Sequence, residues 1–284
     1  MSLKHHLDHF IENFPREKHL SNDPVRFVHL YDSPLDREVV GLIASVFAYG
    51  NVKSVLRTVD SALEYLGTSP AQAVASFDPR TDIRRLRGFY HRFNTSRDLA
   101  VLFWIIRRTL EEYGSIESAF SSALSAGDAD ITIALENFCR ILLGFGHEQF
   151  YPRGELKRRI GVRFLFPSPS QGSACKRLNL YLRWMVRPAD GIDCGVWTRV
   201  ATRQLVIPLD THIARISSYI GLTGLRSPGW PMALDITRSL RKLHADDPLR
   251  YDFALCHLGI AGDCPRKRNL EKCARCPILA ICQL

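Results

Sequence analysis

The chain has 284 residues, enough for two domains of average size, and its 38 Lys and Arg against 29 Asp and Glu give a formal charge of +9. With 46% apolar and 24% charged residues it has a globular composition, which excludes wholesale disorder, a collagen-like chain and a small disulfide scaffold. No apolar run reaches the roughly 20 residues that cross a bilayer, and the N-terminus turns charged and polar too early for a secretory signal, so the expectation is a soluble cytoplasmic protein.

Apolar spacing of three and four residues predicts helices over 39–46 and 52–66, separated by Gly50-Asn51. A basic segment follows: residues 80–108 hold eight Lys and Arg against two acids, with Tyr90, His91, Arg92 and Phe93 among them. The helix predicted over 98–113 puts Leu99, Leu102, Phe103, Ile106 and Leu110 on one face and ends at Gly114-Ser115. Another helix is predicted over 131–143. An irregular stretch over 144–172 follows, with Pro152, Pro167 and Pro169. Residues 153–187 are the second basic segment, nine Lys and Arg against one acid, and 174–186 is predicted as a helix. The irregular stretch over 188–208 is rich in Gly and Asp and contains Trp197. Helices are predicted over 211–220, stopping at Gly221, and over 231–243, opening on Pro231. Alternating strand patterns are scarce, so the fold class is all-α. Long connections in such a chain are usually functional or disordered.

The third basic segment is 264–284, with five Lys and Arg against one acid. The three segments together carry +18 and the rest of the chain −9. Solvated helix faces explain one such segment. Three in an otherwise acidic chain point to a polyanion, since Lys and Arg neutralise phosphates and release counterions. No segment reads as a clean amphipathic membrane helix, so nucleic acid is expected and a membrane is not.

Four of the eight cysteines, Cys264, Cys273, Cys276 and Cys282, fall within 19 residues with spacing C-x8-C-x2-C-x5-C. In a reducing compartment such a group suggests a metal centre rather than disulfides. Structural zinc sites often use two C-x2-C knuckles, and only one is present here. The spacing favours a [4Fe-4S] cluster, with zinc the alternative. Arg266, Lys267 and Arg268 would sit on a loop held rigid by the metal, placed to contact phosphates.

Two helix starts carry candidate chemistry. Gly172 provides a turn and Ser173 a plausible N-cap, which puts Lys176 in the first turn of the 174–186 helix. A helix N-terminus disfavours an ammonium, and a lysine with a neutral amine is a nucleophile that forms Schiff bases; otherwise Lys176 is a phosphate-binding or surface lysine. Asp210 opens the 211–220 helix. Such a carboxylate caps the helix, and where it faces a cleft it can also stabilise positive charge or move a proton.

These residues resemble a known family. Gly172-Ser-Ala-Cys-Lys176-Arg-Leu-Asn179 aligns with the hairpin motif L-P-G-x-G-x-K-T-A-N, and Leu209-Asp210-Thr211-His212-Ile213-Ala214-Arg215-Ile216 with V-D-T-H-V-x-R-V. Both motifs belong to the helix-hairpin-helix (HhH-GPD) superfamily of base-excision DNA glycosylases, among them endonuclease III and the adenine glycosylase that acts on mismatches. That family's iron–sulfur loop follows a helical His-Gly pair; here Cys256-His257-Leu258-Gly259 precedes the four cysteines. The first cysteine gap is eight rather than six, and Ala174 replaces a glycine of the hairpin. Lys176 and Asp210 lie 34 residues apart, a gap similar to that of the archaeal 8-oxoguanine branch.

The resemblance implies a two-lobed HhH-GPD fold: a helical barrel lobe over 36–187 ending in the helix-hairpin-helix, and a second lobe of 1–35 plus 188–284 with the [4Fe-4S] loop over 264–282. It implies a base-excision-repair DNA N-glycosylase with AP lyase activity on a damaged base, with an oxidised purine as the candidate lesion. Lys176 and Asp210 would be catalytic, and Gly172, Ser173, Ala174, Arg177, Arg266, Lys267 and Arg268 would bind DNA. His91, Arg92 and Trp197 would border the base pocket. The expected partner is double-stranded DNA carrying a damaged base, bound by a monomer at the nucleoid. A non-catalytic helix-hairpin-helix DNA-binding protein and an RNA-binding or RNA-modifying protein are the alternatives.

Overall fold

The computed structural model describes residues 2–155 and 160–284, and their regular structure is helical apart from one small hairpin. The segment α1 (Leu3–Glu12) and α2 (Arg16–Leu20) leads through a 3-10 turn, Pro24–Leu30, to α3 (Pro34–Val46). Ser33 caps α3 by accepting from the Asp36 amide, and Pro34 suits its first position. The break predicted at Gly50-Asn51 is real: Asn51 caps α4 (Val52–Glu64) by accepting from the Ser54 amide.

Short helices α5 (Pro70–Ser76) and α6 (Pro79–Asp82) precede an antiparallel hairpin in which Tyr90 pairs with Thr95 and His91 with Asn94. No alternating pattern marks this hairpin in sequence, because each strand is two residues long. Arg92 makes the turn at φ +53°, and the hairpin runs into α7 (Ser96–Tyr113), closed by a Thr95/Asp98 capping box. Beyond it come α8 (Ile116–Ser121) and α9 (Thr132–Gly144).

The core of the site is built on α10 (Lys176–Val186), every residue of which after Lys176 is buried. It crosses α3 closely at Gly41, where a methyl group would come within 2.8 Å of Met185 Cε. Its N-cap is Cys175, in left-handed conformation at φ +48°, and not Ser173. The Ser173 hydroxyl instead accepts from the Cys175 amide, tightening the turn that Gly172 begins at φ +74°. The residues before that turn, Pro169–Gln171, form a single 3-10 turn.

The irregular stretch 188–208 folds back along the end of α10. The Cys194 amide donates to the Trp184 carbonyl and the Trp197 amide to the Met185 carbonyl, both at 2.8 Å. Its buried Asp193 takes bonds from Arg183 and Arg187. The chain then enters α11 (Thr211–Tyr219), followed by α12 (Trp230–Leu243), α13 (Asp252–Ile260) and α14 (Leu270–Ala274).

This packing corrects the even reading of charge over 153–187. Arg177 is buried, donating to the carbonyls of Val46 and Phe164 and lying 4.5 Å from the Phe164 ring centre, and burial pulls its pKa down to about 10. It is a structural residue and is not available to DNA phosphates. Arg183 and Arg187 are likewise buried, paired with Asp193, Asp252 and Asp247. Lys157, Arg158 and Arg159 lie outside the described residues. Among the described residues, exposed positive charge in this segment is confined to Arg153 and Arg163, whereas Arg80, Arg84, Arg85, Arg87 and Arg92 are exposed in the first segment and Arg266, Lys267, Arg268, Lys272 and Arg275 in the third.

His91 is held neutral inside the same frame. Its Nε2 lies 3.0 Å from the Tyr49 carbonyl and donates to it, so its Nδ1 accepts from the Thr58 hydroxyl at 2.7 Å. Burial holds its pKa below the usual histidine value, as it does for His147. The unfolded chain therefore takes up protons that the native state refuses as the pH falls through the mid-sixes, and stability falls with acidification. The urea midpoint should drop between pH 7.5 and 5.5, and drop less for His91→Gln; equal drops would show that His91 does not carry the effect.

Candidate active site and cysteine loop

A cavity of about 760 Å³ brings Lys176 and Asp210 together. Lys176, Leu180 and Arg183 line it from α10, where spacings of four and three residues place them on one face. The start of α11 brings Pro208, Asp210 and His212 to the same cavity. Both Lys176 and Asp210 are half-buried, and no ion pair joins them among the described residues.

Asp210 is held at both oxygens. Oδ1 accepts from the amides of His212 and Ile213, each at 2.8 Å, so the carboxylate caps α11. Oδ2 accepts from the Cys256 thiol at 3.6 Å. Burial pushes the Cys256 pKa well up, and the charges of Asp210 and Asp252 add to this, so the sulfur stays protonated and remains a donor.

Cys256 reaches Asp210 because α13 packs tightly on α11. A methyl group on Gly259 would stand 2.6 Å from His212 Cβ, closer than atoms can pack. Gly259→Ala should force the helices apart and cost about 1–3 kcal/mol, as overpacking does. A clearly lowered thermal midpoint is the expected reading, and an unchanged midpoint would mean that the helices are not locked at this contact.

The inner wall holds groups to which the sequence assigned no role in the cavity. Asp252, in the first turn of α13, pairs with Arg183 Nη1, and burial pushes its carboxyl up to about 6. His257 Nε2 lies 3.3 Å from Asp23 Oδ2. Although burial opposes it, that bond and the nearby Arg183 guanidinium hold Asp23 below the usual carboxylate range. The rings of Phe253 and His257 are 4.3 Å apart, and those of His19 and His257 4.8 Å. His19, Asp23, Asp252 and Phe253 belong to no motif in the sequence, and His257 is marked only by the His-Gly pair before the cysteines.

The other expected site residues are placed elsewhere. Ser173 and Ala174 line a second, shallower cavity of about 460 Å³ with Lys176, Gly50 and Tyr49, and exposed Gly172 begins the turn beside it. None of the three expected pocket residues lines the main cavity. His91 is consumed by the hydrogen bonds above, and Trp197 is buried between Phe120 and Tyr181. Arg92 is exposed, with its guanidinium 5.3 Å from the Phe93 ring centre.

Cys264, Cys273, Cys276 and Cys282 border one small cavity, walled by Ile216, Ile278 and Leu279. Helix α11 positions their loop: Arg215 donates to the Cys264 carbonyl and the Tyr219 hydroxyl to the Arg266 carbonyl, both at 2.8 Å. The helix that carries Asp210 at its start thus also holds the cysteine loop. Among the described residues no three His, Cys, Asp or Glu side chains gather as the ligands of a metal ion.

A family model described as a protein of unknown function, DUF2400, matches residues 23–261. The match takes in Lys176, Asp210 and the inner wall from Asp23 to His257, and stops before Cys264. Neither the curated proteins nor the solved structures contain a match to the chain.

Proposed function

The chain belongs to the DUF2400 family, and for it we propose a base-excision DNA N-glycosylase with AP lyase activity. The observation that carries this reading is that one cavity holds a lysine at the start of one helix and a helix-capping carboxylate at the start of another. An enzyme acting on a base of duplex DNA must take it out of the stack into a pocket. At about 760 Å³ the cavity has room for a flipped nucleotide.

In this reading Lys176 Nζ attacks C1′ of the flipped nucleotide. The C1′–N bond breaks, and its electron pair leaves with the base. Asp210 stabilises the positive charge that develops on the sugar and accepts the proton the amine gives up. The secondary amine opens the sugar to an imine, and loss of a proton from C2′ then expels the 3′ phosphate by β-elimination. The first turn of α10 and the turn at Gly172–Ala174 would face the backbone, where helix amides favour phosphate. Arg266, Lys267 and Arg268 would add phosphate contacts from the cysteine loop.

We read the chain as two HhH-GPD lobes, 36–187 and 1–35 plus 188–284. The cavity is lined from both, by Lys53 and Lys176 on one side and by Asp23, Asp210 and Cys256 on the other. For the cysteines the reading is a structural [4Fe-4S] cluster. What supports it is a donor set of four thiols around one apolar-walled cavity, which suits soft iron–sulfur chemistry. Protein purified without oxygen should be brown, with broad visible absorption and about four iron atoms per chain. Cys276→Ser should lose that absorption. A colourless protein with stoichiometric zinc would contradict the assignment.

The test of function is a borohydride-trapping screen over duplexes carrying oxidised, alkylated, uracil and abasic positions. A covalent complex with one or more of them supports the reading. Binding to duplex DNA without any adduct, or preference for structured RNA, would overturn it.

A further inference from the structure

The inner wall of the cavity contains an incomplete hydrogen-bond network. Arg183 Nε donates to Asp193 Oδ1 at 3.1 Å and Nη1 donates to Asp252 Oδ2. Among the described residues its third nitrogen, Nη2, has no partner, and neither has Asp252 Oδ1. Both side chains are about 2% exposed or less. Orphaned buried groups of this kind are rare, and each one in a native structure needs an explanation. These two belong to one ion pair, so a donor that can never accept stands beside an acceptor that, when ionised, can never donate. Both residues line the cavity that holds Lys176, and Arg183 lies seven residues, two helical turns, along the same face of α10. The flanking rings of Phe253, His257 and His19 offer a surface for stacking.

We propose that Arg183 Nη2 and Asp252 Oδ1 read the edge of the flipped base, and that the substrate is a base with a lactam edge, a ring N–H beside a carbonyl oxygen. The inference rests on the glycosylase reading and adds its substrate class. Hypoxanthine, uracil and 8-oxoguanine have such an edge. The carboxylate accepts from the ring N–H and the guanidinium donates to the carbonyl oxygen, two charge-assisted bonds that complete the network. The choice of a lactam over an amino-edged base follows from the leaving group. When the C1′–N bond breaks, the electron pair that goes to the base delocalises onto a lactam oxygen, where a fixed cation stabilises it most. An amino-edged base offers a ring nitrogen and an exocyclic amine instead, a weaker match on both counts.

The experiment compares single-turnover base release from duplexes that carry hypoxanthine, uracil, 8-oxoguanine, mispaired adenine or 3-methyladenine, with an abasic duplex trapped in parallel. Release from one or more lactam duplexes should exceed release from either amino-edged duplex by about tenfold or more, the discrimination expected of a bidentate base contact. Asp252→Asn replaces the free acceptor with a donor while its remaining oxygen still faces Arg183. The ratio of lactam release to abasic adduct should then fall by a similar factor. Equal or greater release of amino-edged bases overturns the inference, as does a fall of release and adduct by the same factor in Asp252→Asn. Absence of any abasic adduct with the wild-type protein overturns the glycosylase reading itself, and this inference with it.

Discussion

Lys176→Ala should abolish the borohydride-trapped adduct on an abasic duplex and slow strand nicking on the order of a thousandfold, as loss of a covalent nucleophile does. The cavity contains a second lysine, Lys53, exposed on the first turn of α4. Any amine near an abasic aldehyde can form an imine, so Lys53→Ala is the control that gives the result its meaning. Lys53 stands on an exposed turn, whereas Lys176 emerges from the buried helix α10, half-sheltered beside Asp210 and Cys256. Nicking that survives in Lys176→Ala and disappears in Lys53→Ala would move the chemistry from Lys176 to Lys53. Folding is not expected to suffer, because Lys176 is the one residue of α10 that is not buried.

The second large effect is expected at Asp210, where two roles overlap. As an N-cap it holds α11 through the amides of His212 and Ile213. As a carboxylate in the cavity it moves a proton and stabilises charge. Asp210→Asn separates these roles, since asparagine caps a helix about as well as aspartate. Stability measured by urea unfolding should change little, while base release should fall by about 10²–10⁴-fold. Asp210→Ala should lose the cap as well, at about 1 kcal/mol. An Asp210→Asn protein with normal base release would reduce Asp210 to a cap.

The helical framework was legible because its signals are local. Asn51, Gly114 and Gly221 mark helix ends in sequence, and the chain breaks at each of them. Asp210 declared its cap in the same way. The turn before α10 was less legible: Ser173 has the chemistry of an N-cap, yet its hydroxyl serves the Cys175 amide and Cys175 takes the cap position in left-handed conformation. Preference statistics cannot foresee a strained residue held by its surroundings.

The charge pattern was the least faithful guide. Arg177, Arg183 and Arg187 count toward a basic segment in sequence, but long-range partners consume them. Asp252 lies 69 residues from Arg183 along the chain, and Asp247 lies 60 from Arg187. No local window contains these two pairs, although Asp193, six residues beyond Arg187, also binds both Arg183 and Arg187. The same distance hid the inner wall of the cavity, where Asp23, Arg183 and the pair Asp252 and His257 on α13 come from three separate parts of the chain. His91 shows the converse error, an aromatic beside an arginine in a basic stretch whose ring is fixed by Thr58 and Tyr49.

The most direct measurement of the central claim is peptide mapping of the reduced adduct. Wild-type protein is incubated with an abasic duplex and borohydride, digested with protease and nuclease, and analysed by tandem mass spectrometry. The account predicts one modified peptide, with the sugar remnant on Lys176. A remnant on Lys53 or any other amine, or no modified peptide at all, would contradict it.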